Sequence, residues 1–442
     1  MTSKQASRTS SRDAVTSIPQ MHITQYHAAA RRLHLTILVS VAVPFAATRH
    51  VDAQRAPVHG VTLDSAVAVS LVRNPDLVMA RLHLDSAHAE RRIAGALPNP
   101  LLSATPSNPT QYAVSLQLDV GPARHYRIKA GDEGVAATGY DQQDARRQIV
   151  FAVRQAFYDV LLADSLRSLA ADERGVFQRL LDADSARLRS GSVAERDVVA
   201  TRLQLAHADA VLSRAVVQQH AARLTLQALL GASTPDTSMM IDGALAYRSR
   251  PITVDSVLAL ALTYRPDYLA SEVRVTQSSA ALSVARASLI PMPVVGAVYQ
   301  PSQPFTSGSH YAPSVGLTLP LLYAFSGERA RAKTSLAASR VATDRARLQI
   351  RSEVTLAYDT YLSARALADR YACGLLTDAA AALEGARYAY DRGATGLPDF
   401  LEAARTYAET RSDYLTAVHD YWVGLFGLER AAGIDFVDDR HE

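Results

Sequence analysis

Apolar and polar residues follow two different periods along this chain. From Tyr112 to Val120 they alternate: Val114, Leu116, Leu118 and Val120 fall on one face, Ser115, Gln117 and Asp119 on the other. The same period returns where Val315, Leu317 and Leu319 alternate with Gly316, Thr318 and Pro320. A period of two predicts strands with one apolar and one polar face. Each strand region is followed by a long stretch without proline, residues 131–189 and 328–391. There apolar residues recur at three and four: Val150, Val153, Phe157 and Val160 in the first, Val354, Ala357 and Tyr361 in the second. That spacing predicts helices, and about 60 residues make a rod of roughly 90 Å. Rods of that length suit coiled-coil arrays better than a globular core.

The elements come twice. Residues 61–100 and 252–291 align without a gap, with 11 identities in 40 positions, among them Thr62/Thr253, Asp64/Asp255, Pro75/Pro266 and Pro100/Pro291. In each copy a Thr-x-Asp-Ser start predicts a helix N-cap. The short helix it opens stops at Asn74-Pro75 or Arg265-Pro266, because a residue before proline leaves the helical region. A second helix, about 76–97 and 267–289, runs to a proline cluster. A hairpin follows, about 100–121 and 292–322, with strands over Val294–Gln300 and Tyr311–Leu321 in the second copy. Then come the long helix, a glycine turn at Gly191 or Gly393, and a return helix over 194–231 or 397–432. The predicted organisation is a tail and leader at 1–53, a first repeat at 54–231, a linker or small equatorial element at 232–250, a second repeat at 251–432 and a tail at 433–442.

The fold class is therefore mainly α with a small β part. The alternating hairpins fit two arrangements: a small soluble sheet, or barrel staves with lipid outside and water inside. Tyr112, Tyr299, Phe305, Tyr311, Tyr323 and Phe325 lie near the strand ends, which suits interfacial girdles and ordinary strands alike. No run of about 20 apolar residues exists, so any membrane crossing falls to strands. At the N-terminus, Arg31-Arg32 precede an apolar stretch from Leu33 to Ala47 with the shape of a signal peptide, cleaved after Ala53 or near Ala47. Met21 is an alternative start.

A net charge of +3 with interspersed signs contains no basic block of the kind that binds nucleic acid. A single cysteine, Cys373, excludes an internal disulfide and reads as an inert helix residue. There is no phosphate loop, no His-Glu-x-x-His and no Gly-x-Ser-x-Gly. His83 and His88 are five apart, a poor spacing for one metal ion. We expect neither catalytic residues, nor cofactor, nor metal site.

Three signatures in duplicated order carry a resemblance. They are the Asn/Arg-Pro starts that follow Val61 and Ile252, the run Gly327-Glu-Arg-Ala-Arg-Ala332, and the turn pattern Gly-x-x-x-x-x-Asp-x-x-x-Ala at Gly393…Asp399…Ala403. The pattern also occurs at Gly191…Asp197, with Thr201 in place of the Ala. Over about residues 60–432 the chain resembles the TolC-like outer-membrane efflux proteins. The resemblance implies a homotrimer whose subunits share a 12-stranded outer-membrane β-barrel and a long periplasmic α-helical barrel. It implies an outer-membrane channel subunit of a tripartite efflux system, working passively with a periplasmic adaptor and an inner-membrane pump. The alternatives are the duct of a type I protein-secretion system and a periplasmic coiled-coil scaffold without a pore.

Asp399 and Glu402 are three apart and share a helix face. On residues alone they read as a solvated first-turn pair favoured by the helix dipole. The resemblance instead implies a cation-attracting ring at the periplasmic aperture. It also implies that Asp197 and Tyr390 belong to the aperture lock, with Thr395 standing where the family has a basic residue, and Arg392 and Arg196 nearby but unmatched. The turns at Gly191-Ser192 and Gly393-Ala394 would meet the adaptor.

Overall fold

The computed structural model describes residues 60–434 apart from 235, 237–238, 251, 253, 303–307, 309, 318 and 321, and of 254–256 the backbone alone. These residues lie in one compact unit. The leader at 1–53, Phe305 and the tail from 435 fall outside the described residues.

The first repeat begins with α1 (Leu63–Arg73) and α2 (Pro75–Gly95). Thr62 caps α1 by accepting from the Ser65 amide at 3.3 Å. The Asn74 side chain caps α2 by accepting from the Asp76 amide at 2.9 Å. Strands β1 (Leu101–Thr105) and β2 (Gln111–Gln117) form the first hairpin. Helix α3 then runs over 68 residues, Pro122–Arg189, and α4 (Glu195–Leu229) returns. At 1.5 Å per residue α3 is about 100 Å long. The rod begins nine residues before the expected position 131, because Pro122 sits in its first turn, where a missing N–H costs nothing.

The second repeat is built alike: α5 (Val254–Tyr264), α6 (Pro266–Ala287), β3 (Pro293–Gln300) and β4 (His310–Leu317). Its rod is not the unbroken helix expected over 328–391. Helix α7 (Ser326–Arg370) passes into a five-residue π turn, Tyr371–Leu375, and then α8 (Leu376–Asp391). The return helix is α9 (Leu397–Ala432). Cys373 is thus an exposed residue of the π turn, not of a regular helix.

The two hairpins are not separate. They join through β2–β3 into one antiparallel sheet of order β1-β2-β3-β4. β2 ends at Gln117, short of the alternation that reaches Val120. Asp119, expected on a wet strand face, is buried at 3% exposure and paired with Arg127. Tyr112, Tyr299 and Tyr311 stack across three strands, with centroids 6.5 and 4.9 Å apart. They lie at the loop end of the sheet, while Tyr323 and Phe325 (5.5 Å apart) lie at the helix end.

Helix α3 packs on α2, α4, α6 and α9, and α7 packs on α6 and α9. Two cores lie among these helices. One gathers Val153, Phe157, Val160 and Leu226 from the first repeat. The other gathers Val354, Tyr361, Tyr421, Trp422 and Leu425 from the second. Residues 239–250 form a strap across both cores: Met239 and Ile241 pack on the first and Tyr247 on the second, where the Trp422 indole donates to the Ala246 carbonyl at 2.9 Å and the Tyr421 hydroxyl to that of Arg248 at 2.7 Å. Its only ladder contact among the described residues is a parallel bridge between Val61 and Ile241.

The duplication extends to the helix ends. The Asn74 side-chain Nδ2 donates to the Leu229 carbonyl at 2.9 Å, closing the end of α4; the Arg265 guanidinium donates to the Ala431 carbonyl at 3.3 Å, closing that of α9. Both carbonyls would otherwise be orphaned at a helix C-terminus. Arg265 is 3% exposed and needs more partners than Asn74; it has Asp267 at 2.6 Å and Glu353 at 2.7 Å.

Candidate functional site

The α3–α4 and α8–α9 turns are built the same way. After α3 the amides of Gly191 and Ser192 donate to the carbonyls of Leu188 (3.0 Å) and Arg187 (2.9 Å). After α8 those of Gly393 and Ala394 donate to Tyr390 (3.0 Å) and Ala389 (2.8 Å). This paired bonding is the Schellman stop, and it needs a left-handed residue at the third position. Gly191 and Gly393 supply it, at φ 73° and 69°. All four turn residues, with Ser192 and Ala394, are exposed.

Helix α9 opens on Leu397, with Pro398 in its first turn. Leu397 and Phe400 are buried, which turns Asp399 and Glu402 outward together as an exposed pair. Glu402 borders a groove of about 1090 Å³ between α3, α4 and α9, lined also by Glu173, His207, Arg214, Arg405 and Asp413. Burial raises the Glu173 carboxyl above its usual range, and His207 opposes that shift. Asp197 stands on the first turn of α4, and Arg196 is 3.5 Å from its carboxylate. Arg392 lies over the Tyr388 ring at 4.8 Å.

Asp197 and Tyr390 are not brought together within the protomer. The Tyr390 hydroxyl donates instead to Asp184 of α3 at 2.9 Å. Asp184 is fully buried. Its other oxygen accepts from the Thr201 hydroxyl of α4 at 2.9 Å, and Arg187 lies 3.8 Å away. Arg187 also covers the Tyr390 ring at 5.4 Å, while Phe400 stacks on it at 5.6 Å. A buried carboxylate thus collects a hydroxyl from α4, a phenol from α8 and a guanidinium from its own helix. Burial, then the Asp184 bond, pushes the Tyr390 phenol up to about 12, so it stays protonated and donating. Sequence reasoning missed Asp184, which reads as one more helix-surface carboxylate. The signal that points to it is Thr201, where the second repeat has Ala403.

No helix among the described residues is long and apolar enough to cross a membrane. The sheet, by contrast, leaves apolar side chains bare: Leu102 is 72% exposed, Tyr311 78% and Val315 80%. A profile of outer membrane efflux proteins matches residues 67–232 and 257–433, covering both repeats. The chain belongs to the outer membrane efflux protein family. It is 24% identical over 387 residues to the cobalt-zinc-cadmium resistance protein CzcC of Cupriavidus metallidurans, covering 84% of this chain and 90% of that one. Its fold matches the outer membrane channel CmeC of Campylobacter jejuni with a TM-score of 0.73 at 16% identity, covering 84% and 85% of the two chains. It matches the MtrE channel of Neisseria gonorrhoeae with a TM-score of 0.71 at 21% identity, covering 84% and 89%. As an efflux protein of the outer membrane it is a channel component, not an enzyme. Among the described residues no cluster of three or more His, Cys, Asp or Glu could hold a metal ion, and His83 and His88 are merely exposed on α2.

Proposed function

We propose that three copies of this chain close into one tube, which gives substrates passive exit to the exterior in a tripartite system with a periplasmic adaptor and an inner-membrane pump. The observation that carries this reading is that the protomer is open at two matching edges. β1 and β4 each pair on one side only, and β4 is exposed along its whole length. Below the sheet, α4 exposes Val199, Leu203 and Val217, and α7 exposes Val341, Leu348 and Leu356. Unpaired apolar strands are untenable in lipid unless a ring closes. The two edges are different surfaces, so copies join head to tail, and such a contact closes only as a ring. Three protomers of four strands give the even, water-filled barrel that the family resemblance implies.

In that ring Asp399 and Glu402 are the aperture carboxylates, contributing six acids at the narrow end. Tyr390 latches the second coil to the first, with Asp184 as its partner inside the protomer, and Asp197, beside Arg196, faces a neighbouring copy. The turns at Gly191-Ser192 and Gly393-Ala394 are the adaptor contacts, since they are exposed and rigidly stopped. The resistance named for the relative from Cupriavidus metallidurans makes divalent metal cations the cargo of choice, and an acidic aperture favours them.

The test is planar-bilayer recording of the purified protein with zinc gradients. The wild type should be cation-selective and blocked by multivalent cations at the aperture; Asp399→Ala with Glu402→Ala should lose most of both properties. Unchanged selectivity and block in the double variant would remove these residues from the aperture.

A further inference from the structure

Below Ala163 and Ala364 the two rods differ in length by a single residue. Four buried pairs along their upper parts, Ile149/Ile350, Val153/Val354, Val160/Tyr361 and Ala163/Ala364, are each 201 positions apart. At the tips the spacing is 202, as Gly191/Gly393 and Asp197/Asp399 show, and it stays 202 at Gly231/Gly433. The second rod therefore holds one extra residue between Ala364 and Gly393. The π turn at Tyr371–Leu375 lies in this interval, and one added residue is what turns a stretch of α-helix into a π bulge. Gly374 within it takes φ 146° and ψ −28°, a conformation open to glycine and costly for other residues. The first rod crosses the same level as continuous helix.

The π turn and α8 are loosely held. Neither the turn nor α8 contains a buried residue. The turn is tethered through Tyr371, whose ring meets Tyr414 at 6.5 Å and whose hydroxyl reaches Asp413 at 3.4 Å. Helix α8 lies along α9, and it reaches α3 at its last turn through Tyr390–Asp184 and an Arg187–Asp391 pair at 3.9 Å. This geometry is a lever with a joint at one end and a latch at the other.

We propose that the extra residue in the second rod is a built-in hinge: α8 swings about Tyr371–Leu375, carrying the start of α9 with Asp399 and Glu402, while α3–α4 stays straight. This rests on the channel reading above. The hinge makes an unusual demand on a deletion. Removing one residue from a regular helix turns everything beyond it by about 100°. Removing Gly374 should instead restore the spacing of the first rod and leave the tip facing as it does now.

The experiment compares three proteins purified in detergent and recorded in planar bilayers: the wild type, the Gly374 deletion, and a control deletion of Asp172, an exposed α3 residue at the matching level. Each is also studied with Asp184→Ala, which releases the latch. The Gly374 deletion should assemble and melt no lower than the wild type, whereas the Asp172 deletion should melt lower or fail to assemble. Asp184→Ala should raise channel opening in the wild-type background, and the Gly374 deletion should abolish that gain. The hinge is refuted if the Gly374 deletion is as damaging as the Asp172 deletion, or if it assembles and Asp184→Ala still opens it as in the wild type. Should the wild type itself form no channel, the functional reading fails first, and a Gly374 deletion that melts like the Asp172 control would still refute the inserted-residue hinge.

Discussion

Individual side chains tie the two repeats together by charge as much as by packing. His419 of α9 sits between Asp159 of α3, 2.8 Å from Nε2, and Asp420, 3.0 Å from Nδ1. Burial disfavours its charge, but the two carboxylates outweigh that and hold its pKa up at about 9. A pKa higher in the folded than in the unfolded chain means added stability that is complete below about pH 6.5 and lost as the pH rises through about 9. We expect denaturation of the wild type to become easier across that window. His419→Gln should flatten the dependence, as read by melting temperature at a series of pH values; equal slopes in both proteins would contradict this. The sequence did not announce the pair, because Asp159 and His419 are 260 positions apart and belong to no motif. Asp184 was hidden for the same reason. Polar side chains that meet across repeats are legible only once the helices have been placed against each other.

At the level of elements, the patterns that could be read were the repeating ones. Period-two alternation located the strands, proline pairs located the breaks after α1 and α5, and glycines located the tip turns. The π turn escaped because no buried residue marks the stripe from Tyr371 to Asp391, so a phase shift of one residue has nothing to interrupt there; it shows only as a shift from 201 to 202 between the copies. Glycines that look alike in sequence also differ in what surrounds them. At Gly191 an added methyl meets nothing within 4 Å, so Gly191→Ala bears only the backbone cost of about 1 kcal/mol. At Gly231, with φ 69°, the same methyl would lie 2.5 Å from the Arg73 carbonyl oxygen. Gly231→Ala should therefore cost more, about 2–4 kcal/mol, since α1 must shift away. Chemical denaturation of the two variants gives the comparison, and equal losses would mean that the α1–α4 junction yields freely.

For the whole molecule, the protomer is an unfinished object. Its two cores lie among the helices, and its sheet has two bare edges. Closing a ring removes both edges and covers the apolar faces of α4 and α7 at once, so assembly and membrane insertion answer one physical need. The duplicated order of helices and hairpins within the protomer was legible in the sequence. What the sequence left open, a small soluble sheet or barrel staves, turns on how the hairpins pair. The β2–β3 ladder joins them into one sheet exposed at both ends. The most direct measurement is the mass of the detergent-extracted outer-membrane protein, taken by native mass spectrometry on the sample that conducts in bilayers. Three chains per particle, with conductance lost on dissociation, is the predicted result; a conducting single chain, or a stable monomer that needs neither detergent nor lipid, would contradict it.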